Sequence, residues 1–562
     1  MTSYDVIVVG AGAAGAPLAA RLSEDSERSV LLLEAGPVPS RTEEFPPELL
    51  DSGTVQGALP GHPNNWAFTG NLTPELPYSI ARGKILGGSS SINGAYFIRA
   101  RKEDFERWSA DGNDEWSYEN VLPFYKKLET DLQYGDTAVH GGIGPVKVTR
   151  PPQGHPATLA FRAAAAELGF IEEPDKNDQG APGYGPVPMN ISGAVRWNTG
   201  IAYINPVRDR SNLTVQGASY VRRVVFEGKR AVGVEVEHNG ASSIMHGTEI
   251  VLSAGGVKSP HILLLSGIGP KTELERYGIP VVQDLPGVGK DFSDHPDIPI
   301  GWQPKRNLVD YSTSQSMSGS LNFTASGSEF IGDLEILPMI KPMGYLLTGS
   351  SQATVSGIET FLRHSRRSLT AMKGVSLRRF LQQVAHQRDL TFLVAVQAET
   401  SRGQICLESA DPNVQPRIDY NYLSTETDLR RMREVVRTAV RILKSNAFKP
   451  LFKRLSELNE EILNDDALLN RWMRNHLGTA IHLSGSAKFG HPDDPNTVVD
   501  QYGRVHGVEG LRIADTSILP TTPVRGPAAT AMLIGELVSD FIRRGAENPG
   551  RSRTSDATAC SE

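Results

Sequence analysis

The fold is decided by residues 1–36, MTSYDVIVVGAGAAGAPLAARLSEDSERSVLLLEAG. The short, β-branched run 4–9 predicts a buried strand, and the small-residue segment 13–23 predicts a helix. Residues 29–33 predict a second strand, which Glu34 follows directly. A strand, a glycine-rich turn, a helix and a strand that ends in an acid are typical of the first unit of a Rossmann-like parallel sheet.

The glycine spacing in this unit predicts a dinucleotide site. Gly10 permits a tight turn, Gly12 lets the backbone approach a pyrophosphate, and Gly15 lets the helix pack closely on the strand. The helix N-terminus then presents N–H groups to the phosphates. Glu34 can accept hydrogen bonds from ribose hydroxyls, and a carboxylate there disfavours the 2′-phosphate of NADP. The alternative is a small-residue helix that packs without a ligand.

The motif does not separate NAD from FAD. A downstream strand that ends in Ala-Gly and a C-terminal strand that ends near Asp515 would complete a sheet of the FAD-binding type. These two features favour FAD.

Composition and charge exclude several classes of function. The chain has 562 residues and a formal net charge of −7, so no basic field attracts nucleic acid. Its two cysteines, Cys406 and Cys560, predict neither a disulfide framework nor a cysteine metal site, and they fit a cytoplasmic location. We expect no secretion signal, because the N-terminal apolar run is short and glycine-rich. No stretch reaches the ~18 apolar residues of a membrane span, so any membrane contact is expected to be peripheral.

The middle of the chain predicts a different kind of sheet. Within residues 296–475, strand-like runs such as LTFLVAVQAE alternate with helical segments such as TDLRRMREVVRTAVRILKS. The predicted fold class is therefore α/β with an α+β second domain, a Rossmann-like FAD-binding domain beside a substrate domain built on an antiparallel sheet. We expect residues 37–77 to run over the surface and residues 212–253 to form an antiparallel ribbon that returns to the first sheet.

The predicted domain boundaries combine these patterns with what a resemblance to a known two-domain family implies. The FAD-binding domain is predicted to be discontinuous and to comprise residues 1–155, 200–297 and 480–545. The substrate domain is predicted at 156–199 and 298–479. Residues 546–562 are polar and are predicted to be a disordered tail.

Four longer blocks carry a resemblance to a known family. They are ARGKILGGSSSINGAYFIRA at 81–100, GGVKSPHILLLSGIG at 255–269, LPGVGKDFSDHP at 285–296, and the block of residues 482–520 that begins HLSGSAKFG. Together they resemble the glucose–methanol–choline (GMC) oxidoreductases, although Gly256 stands where alanine is usual in that family. The resemblance implies a two-domain flavoprotein that oxidises alcohols with FAD.

The resemblance also implies which residues contact the cofactor. The matching positions are Gly10, Gly12, Ala14, Gly15, Glu34, Ala35, Arg82, Gly87, Gly88, Ser89, Asn93, Gly94, Val221, Asp515 and Gly526. Some family members tether the flavin through a histidine just before the matching asparagine. Here that position is Ile92, which has no nucleophile, so the FAD is expected to be non-covalent. No residue is predicted to bind a metal.

The catalytic histidine of the family matches His482. A histidine is suited to take the hydroxyl proton of an alcohol as hydride leaves the carbon. The two other histidines that compete for this role, His295 and His476, are interpreted as mainly structural. The family usually places a second histidine or asparagine 44 residues later, and this count falls on Gly526. The usual two-residue arrangement is therefore absent.

Arg525, next to Gly526, is the candidate for a substitute second residue. It could stabilise an alkoxide, bind a polar substrate or lie near the reduced flavin, and the alternative is a surface arginine beside a glycine turn. The hypothesis is that His482 alone abstracts the proton and that Arg525 has an electrostatic role.

Short segments, among them VRGPAAT at 524–530, resemble the mycofactocin-associated GMC dehydrogenases. That resemblance implies that the substrate is mycofactocinol, the alcohol form of a peptide-derived redox cofactor. It also implies that electrons pass to the respiratory chain, which would place the protein at the inner face of the membrane. The alternatives are a general alcohol, choline or aromatic-alcohol dehydrogenase or oxidase, an FAD-containing lyase, and a non-catalytic flavoprotein. The sequence leaves the substrate, the electron acceptor and the oligomeric state open.

Overall fold

The structure is a computed structural model that describes residues 3–313, 315–349 and 389–545. The predicted disordered tail, with Cys560, lies outside the described residues. In the described part of the chain, no helix is both long enough and apolar enough to cross a membrane.

The first sheet has seven strands and is built around the N-terminal strand. In spatial order its strands are Leu213–Gln216, Val30–Leu33, Ser3–Val9, Ala241–Leu252, Arg230–His238 and Ser219–Glu227, and Leu511–Ile513 pairs with Ala241–Leu252. The strands that flank Ser3–Val9 are both parallel to it. The Rossmann-like parallel unit predicted from residues 1–36 is therefore confirmed.

The register of this sheet brings four chain segments to one edge. Val9 is aligned with Leu33 on one side and with Leu252 on the other, and Leu252 is aligned with Ile513. The residues that follow these strands, which include Gly10, Glu34 and Asp515, therefore leave the sheet at the same carboxyl edge. Ligands of open parallel sheets bind at that edge.

The ribbon predicted at 212–253 is correct in part. Strands Ser219–Glu227, Arg230–His238 and Ala241–Leu252 are antiparallel neighbours, as expected. The expectation is wrong for Leu213–Gln216, which pairs in parallel with Val30–Leu33. The strand reaches that outer position because the chain makes a long excursion between the two segments, and a parallel pair requires such a crossover.

The second sheet also has seven strands, and every pairing in it is antiparallel. In spatial order its strands are Phe452–Leu455, Pro296–Pro304, Leu390–Val396, Leu334–Met339, Gly319–Phe323 and Tyr184–Pro186, and Gly478–Thr479 pairs with Pro296–Pro304. The antiparallel sheet predicted for the middle of the chain is confirmed.

The two faces of the second sheet have different partners, because alternate side chains of a strand point in opposite directions. On Leu390–Val396, Phe392 and Val394 belong to the apolar core that also contains residues of helix Glu426–Lys444. Leu393 and Ala395, on the opposite face, line a large cavity. This sheet therefore supplies one wall of the cavity.

A four-stranded sheet and three strand pairs complete the β-structure of the described residues. The four-stranded sheet contains Gln404–Cys406, Arg417–Asp419, Phe68–Thr73 and Leu76–Ile80. The pairs are Glu129–Asp131 with Val146–Val148, Ile191–Ser192 with Val195–Arg196, and Ile268–Gly269 with Gln283–Asp284. The four-stranded sheet joins segments from both predicted domains, and the domain boundaries stay a prediction.

Several helices of the described residues pack on the sheets. The helix bounds are Gly15–Leu22, Pro47–Leu50, Lys102–Ser109, Tyr118–Leu128, Pro156–Glu167, Gly255–Leu265, Lys271–Arg276, Met343–Thr348, Glu426–Lys444, Glu460–Asn464, Asp466–His476 and Ala528–Arg543. The first and last of these helices pack on each other, and a Cβ on Gly535 would lie 2.2 Å from the carbonyl oxygen of Ala14.

The expectation that residues 37–77 run over the surface is wrong. Leu49 and Leu72 are fully buried, and Trp66 and Phe68 line the cavity. The Pro- and Gly-rich composition correctly indicates turns. However, a few large apolar side chains between those turns are enough to anchor the segment, because each gains about 1.5–3 kcal/mol by burial.

Candidate active site

One cavity of about 710 Å³ connects the carboxyl edge of the first sheet with the open face of the second. Most of the residues predicted to contact a cofactor line it: Gly10, Gly12, Ala14, Glu34, Ala35, Arg82, Gly88, Ser89, Asn93, Gly94, Val221, Asp515 and Gly526. His482 lines the same cavity. Gly15, Gly87 and Arg525 do not belong to its lining.

The three glycines of the first loop have different surroundings. A Cβ on Gly15 would lie 1.9 Å from the carbonyl oxygen of Gly10, and a Cβ on Gly10 would lie 2.5 Å from that of Ser253. These two glycines allow the backbone to pack closely. A Cβ on Gly12 would meet nothing nearer than the Cα of Gly88, at 3.9 Å. Gly12 therefore faces open space, which a Cβ would begin to fill.

A second glycine loop closes over the first. The backbone N–H of Gly87 donates to the carbonyl oxygen of Ala11 at 2.8 Å. Gly88 has a φ of +52°, and a Cβ there would lie 2.7 Å from the Cα of Gly12. Gly87 joins the two loops from behind, while Gly88 and Ser89 are exposed to the cavity. Together the loops form a cradle of main chain.

Two buried carboxylates lie beside this cradle. Glu34 accepts hydrogen bonds from the backbone N–H groups of Ala11, at 3.1 Å, and Gly36, at 2.9 Å. Burial raises the pKa of Glu34 to about 7, although these hydrogen bonds act against the rise. Asp515 accepts from the backbone N–H of Gly255 at 2.8 Å, and its burial likewise raises its pKa. Both side chains are thus fixed by backbone donors.

His482 lies where the two sheets meet across the cavity. Its backbone N–H donates to Oδ1 of Asp294 at 2.6 Å. Its Nδ1 lies 2.8 Å from Nδ1 of His295, and the two rings are nearly perpendicular, at 87°. Burial, followed by the charge of Arg82, lowers the pKa of His482 to about 3. The ring is therefore neutral near pH 7 and can accept a proton.

Gly526 lies directly against the ring of His482. A Cβ on Gly526 would be 3.4 Å from both Cε1 and Nε2 of that ring. The absence of a side chain at this position, which the sequence indicated, leaves space next to Nε2.

Two of the other predicted residues have surroundings that the sequence did not indicate. Arg525 is 1% exposed, so the alternative of a surface arginine is wrong. Its Nη2 donates to Oε1 of Glu173 at 3.0 Å, and its Nη1 lies 3.3 Å from Oδ1 of Asn322. His476 lines the cavity, where its ring stacks on Trp472 and its Nε2 lies 2.8 Å from a carboxylate oxygen of Glu457.

The far wall of the cavity was missed by sequence reasoning. Its side chains come from the second sheet, from the segment just before strand Gly319–Phe323 and from the nearby helix Met343–Thr348, and its apolar ones include Met317, Leu337, Met339, Met343, Leu346 and Leu393. Oγ of Ser316 and Oε1 of Gln397 are buried in the same region and have no hydrogen-bond partner among the described residues. Residues 334–339 and 390–397 are nearly continuous apolar runs, which predict buried strands, and periodicity alone does not tell which of their two faces lines a cavity.

Known proteins match this chain over nearly its whole length. Profiles described as GMC oxidoreductase match residues 4–297 and 399–535. An uncharacterized GMC-type oxidoreductase from the thcA 5′ region of Rhodococcus erythropolis is 37% identical over 541 residues, which are 96% of this chain and 98% of that protein. The oxygen-dependent choline dehydrogenase of Yersinia pseudotuberculosis is 35% identical over 569 aligned positions, which cover 96% of this chain and 94% of the relative.

A solved structure has the same fold over nearly the whole chain. Pyridoxine 4-oxidase from Mesorbium loti has a TM-score of 0.84 and 25% sequence identity, and the match covers 96% of this chain and 99% of that one. The fold and the site thus define an FAD-dependent oxidoreductase that acts on CH–OH groups of donors. The chain belongs to the GMC oxidoreductase family.

The residues present fit FAD. The open space at Gly12 suits a pyrophosphate, and the carboxylate of Glu34 stands at the end of the second strand, where the ribose of a dinucleotide is bound in Rossmann-like folds.

Proposed function

We propose that this protein oxidises an alcohol with His482 as the general base. Bound FAD supplies the hydride acceptor. Nε2 of His482 takes the hydroxyl proton of the substrate while hydride leaves the carbinol carbon, so the O–H bond breaks as the C=O bond forms. The observation that carries this proposal is that a neutral His482 lines the same cavity as the glycine cradle.

The same proposal assigns the cofactor contacts. The main chain at Gly12 and Gly88 would approach the pyrophosphate, Glu34 would accept from ribose hydroxyls, and Asn93 would lie near the flavin ring. Their position around one cavity supports these roles.

We expect the FAD to be bound without a covalent link, because the described lining offers an isoleucine, Ile92, at the position where some family members have a histidine. Acid precipitation of the purified protein should leave the flavin absorbance in the supernatant. Flavin that stays in the washed pellet would contradict this expectation.

For the substrate we propose mycofactocinol, with electrons passed on to the respiratory chain from a cytoplasmic position at the inner face of the membrane. The support is the subgroup resemblance of segment 524–530. The cavity adds support, because its far wall combines apolar side chains with the unpartnered polar atoms of Ser316 and Gln397. Such a wall suits a substrate that is larger and less polar than a simple alcohol.

Choline is the second candidate, because choline dehydrogenases are 35% identical to this chain over nearly its whole length. A quaternary ammonium group is recognised by aromatic faces or by a carboxylate. Tyr96 and Glu335 both line the cavity, and Oη of Tyr96 donates to Glu335 at 3.2 Å. This pair is the feature that favours choline.

Anaerobic titration distinguishes the candidates. The purified, FAD-loaded protein is mixed with mycofactocinol, choline, benzyl alcohol or ethanol, and the loss of flavin absorbance near ~450 nm is followed. Mycofactocinol should bleach the flavin at the lowest concentration, and air should restore the colour slowly if electrons pass to the respiratory chain. Bleaching by choline alone would favour the second candidate. No bleaching by any alcohol would favour a lyase or a non-catalytic flavoprotein.

For Arg525 we propose an electrostatic role: the residue does not line the cavity, but its charge acts on a carboxylate that does. Its charge lowers the pKa of Glu335, which lines the cavity, against the larger effect of burial. Arg525→Ala should lower the free energy of unfolding by about 1.5–3 kcal/mol, because it removes a charged hydrogen bond to the buried carboxylate of Glu173, which Lys176 still pairs at 2.7 Å. Arg525→Lys, which keeps the charge, is the matched control and should lose less. Denaturant unfolding and flavin reduction are measured on both.

The two measurements separate the possible roles of this arginine. We expect flavin reduction by Arg525→Ala to be slower, with FAD still bound. An alanine variant of unchanged stability whose flavin is reduced at the wild-type rate would exclude both the structural and the electrostatic role.

A further inference from the structure

We infer that His295 is a positioning residue that holds His482 in the tautomer whose Nε2 is unprotonated and exposed to the cavity. The inference rests on the proposed function, since it concerns how the proposed base is prepared. His295 was interpreted from the sequence as mainly structural, and 187 positions separate it from His482.

The contact between the two rings permits only a few proton arrangements. Two imidazole nitrogens that lie 2.8 Å apart make a hydrogen bond only if one carries a proton and the other does not. Two neutral rings can therefore pair in two ways. Either His482 donates from Nδ1 to His295, or His295 donates from Nδ1 to His482.

The proposed role of His482 as the base requires the first of these ways, because in the second its Nε2 carries the proton and cannot accept one from a substrate. The carbonyl oxygens of Pro523 and Gln397 lie beside its ring, where they act to raise its pKa. A carbonyl oxygen can only accept, so both groups are compatible with a proton on Nε2 of His295, the nitrogen that does not face His482. Nε2 of His295 is buried and has no hydrogen-bond partner among the described residues. Nδ1 of His295 is then the acceptor.

Asp294 and a backbone bridge hold the two histidines next to each other. Oδ1 of Asp294 accepts from the backbone N–H of His295 at 2.7 Å and from that of His482 at 2.6 Å. The two segments are also paired as an antiparallel bridge between Ser293 and Ser484. The backbones of His295 and His482 are therefore held next to each other by the Asp294 carboxylate and by this bridge, which keeps the two rings within reach.

The consequence for His482 follows from proton counting. A neutral imidazole carries one proton, so a proton on Nδ1 leaves Nε2 with a free lone pair. That nitrogen is the one next to the side-chain-free Gly526. When Nε2 takes the hydroxyl proton, the Nδ1–H bond to His295 persists and stabilises the imidazolium, while His295 stays neutral. A free imidazole in solution, by contrast, exchanges between two tautomers, so either nitrogen can carry the proton.

Other charged and titratable groups face the pair. Arg82 lowers the pKa of His482. After burial, the charge of His482 is the next largest cause of the low pKa of His295. Burial raises the pKa of Asp294 to about 6. Behind Asp294 lie Tyr420, Tyr422 and Glu399, whose pKa values are all raised by burial. Any pH profile of the pair therefore includes the titration of Asp294.

Two amide variants of His295 test the inference. The amide of His295→Asn lies near the former Nδ1 and can still accept from His482, whereas the amide of His295→Gln lies near the former Nε2 and cannot. We expect anaerobic flavin reduction by mycofactocinol, with benzyl alcohol as a second probe, to stay within about fivefold of wild type for Asn and to fall about 10- to 100-fold for Gln. Substrate affinity and FAD content should be equal in both. Equal reduction rates in the two variants would overturn the inference.

The pH profile of flavin reduction is a readout that a merely structural role would not move. Loss of the acceptor in His295→Gln disfavours the imidazolium, so the pKa of His482 falls and the acid limb of the profile moves to lower pH. In His295→Asn the limb should stay at the wild-type position. An acid limb that moves equally in both variants would contradict the assignment.

Nitrogen NMR of the wild-type holoenzyme tests the tautomer without any change at His295. The protein is labelled with ¹⁵N-histidine, and the signals of His482 are assigned by their loss in His482→Ala. We expect a protonated Nδ1 and a bare Nε2, and the opposite pattern would overturn the inference. The proposed function fails separately, if no alcohol reduces the wild-type flavin or if His482→Ala reacts at the wild-type rate.

Discussion

Flavin reduction by an alcohol should fall by a factor of about 10²–10⁴ in His482→Ala, the range that a positioned general base contributes. Bound FAD should be retained, because His482 contributes one side chain to a cavity whose dinucleotide end is formed by main-chain loops. The measurement is anaerobic stopped-flow reduction of the FAD-loaded variant, with FAD content determined from its absorbance. The missing base leaves the hydroxyl proton in place, so the barrier to hydride loss rises.

His476→Ala is the matched control for this experiment. His476 also lines the cavity, but its two ring nitrogens are engaged by the carbonyl oxygen of Trp472, at 2.7 Å, and by Glu457. We expect less than about a tenfold change in this variant. If His476→Ala loses the activity and His482→Ala keeps it, the general base has been assigned to the wrong histidine.

The low pKa of His482 also fixes the sign of a pH effect. The unfolded chain binds a proton at His482 below its ordinary pKa of 6.5, whereas the folded protein does so only near 3. The neutral ring therefore favours the folded state above pH 6.5, and this contribution is lost as the pH falls toward 3. In His482→Ala the acid limb of the unfolding free energy should accordingly be less steep between these values.

The second large effect is expected from Gly12→Asp. The open space beside Gly12 accommodates the new side chain, so the fold should persist. The new carboxylate would point toward the phosphates of FAD, and a like-charge contact that costs several kcal/mol should weaken FAD binding by at least about 10²-fold. The measurement is the FAD content after purification, followed by titration of the apoprotein with FAD.

Gly154→Asp is the matched control for Gly12→Asp. Gly154 is exposed and lies outside the cavity lining, and a Cβ on it would meet no heavy atom of the described residues within 4 Å. This variant introduces the same charge and should bind FAD as the wild type does. Gly15→Ala should act differently again, because its Cβ would collide with the Gly10 carbonyl and disturb the fold itself. Normal FAD binding by Gly12→Asp would remove the first glycine loop from the cofactor site.

Much of the cofactor side of the molecule could be predicted from the sequence. The strand, turn, helix and strand of residues 1–36 are specified locally, because periodicity and glycine placement act between neighbours in the chain. The shared edge at which Gly10, Glu34 and Asp515 emerge then follows from parallel pairing alone. The antiparallel sheet of the middle region was likewise indicated by its alternating runs, although its cavity-facing residues were not identified.

The sequence by itself determined the class of fold and the glycines of the cradle, and its family resemblance identified His482 as the candidate base. Only the tertiary structure decided that His295 contacts His482, and that Arg525 is buried against Glu173, which lies 352 positions away. The physical reason is that a buried polar group needs a hydrogen-bond partner, whereas the local sequence specifies only the conformation of its own segment. Which partner it finds depends on how distant segments pack, and no local pattern in the chain encodes that choice.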